Sequence, residues 1–191
     1  MTPLVQTVTT ILSLGIIGMQ VFALLLILAL FAKPDEVKNR KGIGAVVGMV
    51  SEYVLEIGFL VSLGAIISSM FYSSIAGFAP CEFCWWQRIL IYPQAVLFAV
   101  AIYYKKKGLP YGIALTSSLI MSIMGAALSL FQYYGAMFNP SLLEACIANG
   151  VSCSKQYFIA FGYITIPLMS LTCFVFLILL IVTRRKVEKI A

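Results

Sequence analysis

The sequence predicts an all-α integral membrane helix bundle, and three observations carry that expectation. Of 191 residues, 62% are hydrophobic and 10% charged, where a soluble domain has about 45–50% and about 25%. The apolar residues fall in long unbroken runs, not in the short alternating strands of a membrane barrel. Lysine and arginine concentrate in every second connection between those runs. This composition excludes a soluble enzyme, a disordered chain and a nucleic-acid binder with an exposed basic face. No histidine is present, which removes histidine-held haem or metal and any triad with an imidazole base.

A span needs about 20 mostly apolar residues, and five segments meet that length: Leu4–Ala32, Ile57–Phe78, Trp85–Tyr104, Tyr111–Tyr134 and Phe158–Val182. The first lacks a basic leader and a small-residue cleavage site, so it reads as a retained span and not a signal peptide. The second is preceded by apolar sequence. As one helix, Gly42 to Pro80 would run roughly 58 Å at about 1.5 Å per residue. Anchored at Pro80, it leaves Glu52 and Glu56 near the inner interface, on one face of a helix extension leaving the membrane. The third span holds a single charge, Arg88. Small residues Ser118, Ser122 and Ala126 recur every four positions on the fourth span, a face suited to close packing against span three or five. Pro93 and Pro167 are expected inside spans three and five, as kinks or as tolerated membrane prolines.

Lys33, Lys38, Arg40 and Lys41, then Lys105, Lys106 and Lys107, then Arg184, Arg185, Lys186 and Lys189 fall on one side of a five-span topology. The positive-inside rule makes that side cytoplasmic, with the N-terminus outside and the C-terminus inside. The net charge of +6 is thereby mostly a topology signal, with anionic lipid headgroups as secondary partners. Trp85, Trp86, Tyr133 and Tyr134 mark the outer interface; Tyr103, Tyr104 and Tyr111 mark the inner one.

Four of the five cysteines then lie outside: Cys81 and Cys84 before the third span, Cys146 and Cys153 between the last two. Disulfides persist in such a compartment, and spacing favours Cys81–Cys84 and Cys146–Cys153 as the resting pairs. Structural staples are one explanation, but a staple gains most by closing a long loop, and these loops are short. A four-cysteine zinc site is another, opposed by the oxidising side and the unequal spacing. Cys-x-x-Cys is the spacing of cycling redox pairs. Cys84 sits in the first turn of its helix, where free backbone N–H groups favour a thiolate. Arg88 lies one turn deeper on the same face, placed to stabilise that thiolate or to meet a membrane-borne ligand. Cys173, among apolar residues of the last span, is expected to act as a small hydrophobe. Without histidine or a Gly-rich nucleotide fingerprint, a lipid-soluble quinone is the simplest electron acceptor that remains.

The run Pro80-Cys-Glu-Phe-Cys-Trp-Trp-Gln-Arg-Ile-Leu-Ile-Tyr-Pro93 resembles the signature of the disulfide bond formation protein B family, DsbB and its BdbC relatives. The stretch Cys153-Ser-Lys-Gln-Tyr-Phe158 and Phe161-Gly-Tyr-Ile-Thr-Ile-Pro-Leu-Met169 is similar to the family's last loop and final span. The resemblance implies a four-helix bundle over residues 42–191, with residues 1–41 an extra transmembrane helix and a basic loop. It implies an enzyme of the bacterial cytoplasmic membrane that reoxidises an extracytoplasmic thioredoxin-fold thiol oxidase, DsbA- or BdbD-like, and reduces a quinone. Carried over by position, Cys81 and Cys84 are the quinone-coupled pair, with Cys84 and Arg88 at the quinone. Cys146 and Cys153 are the pair that meets the partner protein. Gln87 stands where the best-known member has an acidic residue, and is a further quinone contact. Neither metal nor nucleic acid is expected. Two other functions fit the same residues: a structural membrane protein with two external staples, and a reductant resembling vitamin K epoxide reductase.

Overall fold

The computed structural model describes residues 2–31, 43–148 and 150–190. The basic residues Lys33, Lys38, Arg40 and Lys41 lie outside the described residues. The described elements are α1 (Pro3–Leu30), α2 (Ile43–Glu52), α3 (Val54–Met70) with a π-turn at Phe71–Ile75, α4 (Glu82–Lys106), α5 (Gly112–Phe138), a 3-10 turn at Pro140–Leu143, the strands β1 (Ile147–Ala148) and β2 (Val151–Ser152), and α6 (Ile166–Ile190). Helices α3, α4, α5 and α6 pack in a ring, each against the next, closed by α3 on α6. Outside that ring, α1 and α2 lie against α6.

Among the described residues, four helices are long and apolar enough to cross a membrane, spanning Pro3–Leu28, Val54–Ile75, Gly112–Phe138 and Ile166–Lys189. The expected span Trp85–Tyr104 lies inside α4, which has the length of a span at 25 residues but is less apolar. Gln87, Arg88 and Gln94 lie in it, and the bundle gives each a partner. Gln94, fully buried, donates to the Leu90 carbonyl at 3.0 Å and accepts from Ser118 Oγ at 2.7 Å and Ser122 Oγ at 3.1 Å. The small-residue face of α5 therefore packs on α4 through hydrogen bonds, which have no water to compete with in a bundle core.

Two expectations about helix ends are corrected. The segment 43–70 is not one continuous helix: Tyr53, at φ −100° and ψ 17°, breaks it into α2 and α3. At the break, Lys105 Nζ donates to the Glu52 carbonyl at 2.8 Å and pairs with Glu56 at 3.3 Å. Arg184 reaches the same end, 3.2 Å from Ser51 Oγ and 3.2 Å from the Tyr111 hydroxyl. The last helix begins at Ile166, eight residues after Phe158. Residues before it turn back through Phe161 (φ 50°) and Gly162 (φ 80°), closed by paired backbone bonds between Ala160 and Ile164 at 2.8 Å. The left-handed backbone at Gly162 suits a residue without Cβ. Pro167 consequently sits in the first turn of α6, where its missing N–H costs nothing, and does not interrupt the helix. Pro93 does lie inside α4.

Candidate redox site

Both cysteine pairs of the loops meet at one end of the bundle, opposite Lys105 and Arg184. Cys81 is the N-cap of α4, and its Sγ accepts the Cys84 backbone N–H at 3.4 Å. Cys146 and Cys153 flank the β1–β2 hairpin and are joined in a disulfide with Cα atoms 5.5 Å apart. Cys153 N donates to the Cys146 carbonyl at 2.9 Å, continuing the ladder. Cys81, Leu143, Cys146 and Cys153 form one buried cluster, with Phe83, Cys84, Ala136 and Val151 packed against it. A stack of Tyr157 on Phe78, ring centroids 4.4 Å apart, and a Tyr157 hydroxyl bond to the Ala79 carbonyl at 2.8 Å tie the two loops together.

Of the two expected resting disulfides, Cys146–Cys153 is present. Cys81 and Cys84 are separate thiols in this structure. The Cys81 sulfur acts instead as a helix cap, which satisfies a backbone donor that α4 would otherwise leave free.

The polar centre of the site is a residue the sequence reading passed over. Gln132 of α5, 3% exposed, points its amide nitrogen at Cys81 Sγ (3.2 Å), the Cys153 carbonyl (3.3 Å) and Cys84 Sγ (4.0 Å). Its oxygen accepts from Gln87 Nε2 at 2.8 Å. That bond fixes which way the Gln132 amide faces. Gln87, expected as a ligand contact, thus positions Gln132 as well as bordering the adjoining cavity. A glutamine in an apolar run is costly unless paired, and that was the signal available in the sequence.

The hydrogen-bond donors gather on the Cys81 sulfur. Cys81 is held down to about 7, first by the hydrogen bond from the Cys84 side chain, with the Cys84 N–H and Gln132 adding to it and burial opposing. The expectation named Cys84 as the stabilised thiolate; in this structure the Cys84 N–H and the nearer approach of Gln132 are both at Cys81. Nor does Arg88 turn to Cys84: its Nε donates to Ser69 Oγ at 2.9 Å and an Nη to the Ser69 carbonyl at 3.3 Å, with Trp85 beneath the guanidinium at 5.1 Å. The Tyr92 hydroxyl joins the same Ser69 Oγ at 3.2 Å. Arg88 and Cys84 nevertheless border one cavity of about 600 Å³, which runs from the cysteines between α1, α3 and α6. Cys173 faces it from α6, buried with Ile16, Tyr72, Ile164 and Met169. Among the described residues no cluster of potential metal ligands occurs.

Comparison with known proteins bears directly on this arrangement. The family profile of disulfide bond formation protein DsbB matches residues 51–183. The chain belongs to the DsbB family. It is 36% identical over 127 residues to disulfide bond formation protein C of Bacillus subtilis, covering 63% of this chain and 84% of that one. It is 36% identical over 131 residues to a probable disulfide formation protein C of Halalkalibacterium halodurans, with coverages of 67% and 91%. A probable disulfide formation protein of Chlamydia pneumoniae is 28% identical over 140 residues, covering 73% and 97%. No solved structure is significantly similar. Membership of the DsbB family implies a protein-disulfide oxidoreductase, and the long apolar helices are those of a membrane protein. The matched residues include both cysteine pairs, Gln87, Arg88 and Gln132; α1 lies outside them.

Proposed function

We propose that this chain reoxidises an extracytoplasmic thioredoxin-fold dithiol protein and passes the electron pair to a quinone of the bacterial cytoplasmic membrane, thereby supporting disulfide formation in exported proteins. The reading rests on one observation above all. A single amide, that of Gln132, holds both Cys81 Sγ and the Cys153 carbonyl, so the two pairs share one buried reaction volume.

The exchange begins at Cys146, which is 8% exposed where Cys153 is 1% exposed. A partner thiolate attacks Cys146, the Cys146–Cys153 bond breaks, and Cys153 leaves as thiolate beside Cys81. The partner's second thiol resolves the mixed disulfide, loses its proton and frees Cys146. With Cys81–Cys84 oxidised, Cys153 attacks Cys81 and expels Cys84. Cys146 then attacks Cys153, reforms the hairpin disulfide and releases Cys81. Each step is thiol–disulfide exchange, in which a leaving thiol of low pKa departs faster. The acidic Cys81 suits that departure, and Gln132 holds its charge. The net transfer leaves Cys81 and Cys84 as a dithiol carrying two electrons and two protons, the state of this structure.

The cavity fits a quinone by size and chemistry. Ligand cavities measure about 300–1,000 Å³ and are mostly apolar with a few polar groups. This one is about 600 Å³, with Arg88 and Ser69 beside Cys84. When bound, a quinone supplies an acceptor for two electrons and two protons. Arg88, Ser69 and Tyr92 would orient its polar head, while the apolar walls keep water from the thiols. We further propose that residues 42–191 form the catalytic unit, with the cysteine end outside the cell and Lys105 and Arg184 at the cytoplasmic end.

The test is Cys84→Ser in the purified full chain. Quinone reduction by a reduced thioredoxin-fold partner is expected to vanish while the folded protein still accumulates in membranes. Retained activity would refute the reading. A loss of folded protein alone would indicate a structural staple.

A further inference from the structure

Helix α1 lies outside the family match, yet it forms a wall of the cavity at the redox site. Ile11, Gly15, Ile16 and Met19 of α1 border the same space as Cys84 and Arg88. Gly64 of α3 borders it from another side, and Met169 of α6 also lines it. Helix α1 packs on α6, and α3 packs on α6, so α1 and α3 flank a groove floored by α6. Gly15 and Gly64 are both exposed, and a Cβ built on either meets nothing within 4 Å. Two residues without side chains therefore keep this groove open along its walls.

Polar bonds hold α1 in that position. Gln20 of α1 donates to Thr172 Oγ1 at 3.2 Å and accepts from the Tyr163 hydroxyl at 2.9 Å. The Tyr72 hydroxyl donates to Thr9 Oγ1 of α1 at 3.4 Å, closing the end nearer the cysteines. A helix fixed at both levels, with an open glycine between them, makes a channel wall and not only a lipid-facing ornament of the bundle.

We infer that α1 and α3 form the channel for the isoprenoid tail of the quinone whose head lies at Cys84 and Arg88, with Gly15 and Gly64 setting its width. The inference rests on the quinone reading. A tail is the occupant because the groove is apolar and continuous with the polar end at Arg88, matching a molecule with a polar ring and a long hydrocarbon chain. The α1 wall then makes binding depend on the tail.

Binding can be read without turnover. Trp85 and Trp86 are the two tryptophans of the chain, Trp85 lies against the Arg88 guanidinium at 5.1 Å, and quinones quench tryptophan fluorescence. Titration of the full chain in detergent with a long-tailed quinone and a tail-less benzoquinone yields two dissociation constants. Gly15→Phe is expected to weaken the long-tailed quinone about tenfold and leave the tail-less one unchanged. Gly18→Phe, on the same helix but outside the cavity lining, is expected to change neither. A long-tailed quinone carrying a photoreactive group on its tail is expected to label residues of α1, and free fatty acid is not expected to compete. If Gly15→Phe alters both ligands alike or neither, or the label avoids α1, the channel is refuted while the head site stands. If the wild-type chain binds no quinone of either kind, the quinone reading itself fails.

Discussion

Gln132 is the residue on which the two cysteine pairs converge. Its amide is aligned by Gln87 at 2.8 Å, and it approaches Cys81 Sγ more closely than Cys84 Sγ. Removing this donor destabilises the Cys81 thiolate, so the thiol pKa rises. Because the thiolate forms as pH climbs through the pKa, the thiolate absorbance of reduced Gln132→Leu should titrate at higher pH than wild type. The donors around Cys81 hold its thiol below the usual range, and losing one hydrogen bond to a charged group predicts an upward move of about one unit. An unchanged midpoint would mean that Gln132 only packs. The sequence pointed to the cysteines, because two thiols at redox spacing are informative by themselves. It did not point to Ser69 or to the direction of Arg88. Serine is common in apolar helices, and a guanidinium takes whichever acceptor a neighbouring helix presents.

Helix packing depends on a few positions where backbones approach closely. A Cβ on Gly125 of α5 would run into the Phe174 ring of α6, and one on Gly58 of α3 into the Phe98 ring of α4. Phe98 and Phe174 are among the largest fully buried side chains, so neither ring has room to yield. Gly125→Val should cost about 1–3 kcal/mol, read as a lower thermal midpoint in detergent, and Gly15→Val should cost far less because its surroundings are open. By contrast, the Lys105–Glu56 pair is 37% and 40% exposed, and pairs of that kind contribute at most about 1 kcal/mol. Apolar run length made most of these helices legible in the sequence. The breaks at Tyr53 and before Ile166 were not, since each depends on a turn made by backbone dihedrals and by contacts from distant segments.

For the whole molecule, the placement of charge is the main evidence of orientation. Lys105, Arg184 and the break between α2 and α3 gather at one end, with the cysteine loops at the other. A fluorescent protein that matures only in the cytoplasm, fused after Ala191, should therefore be bright. Protease applied to intact spheroplasts should cut near Lys155 and not near Lys107. Dark fusions, or cutting at Lys107, would reverse the proposed orientation.

What the sequence determined by itself follows from properties summed over many residues. An apolar surplus must be buried in lipid, long runs without water must be helical, and basic residues clustered in alternate connections give the expected orientation. The Cys-x-x-Cys spacing and the following arginine are equally local, and they indicate the family by themselves. Tertiary structure decided what depends on residues far apart in the chain. It brought Gln132, Cys81 and Cys153 together, turned Arg88 onto Ser69, and set α1 along the cavity. Such choices depend on single hydrogen bonds and on the few ångströms between helices, and no one segment contains that information.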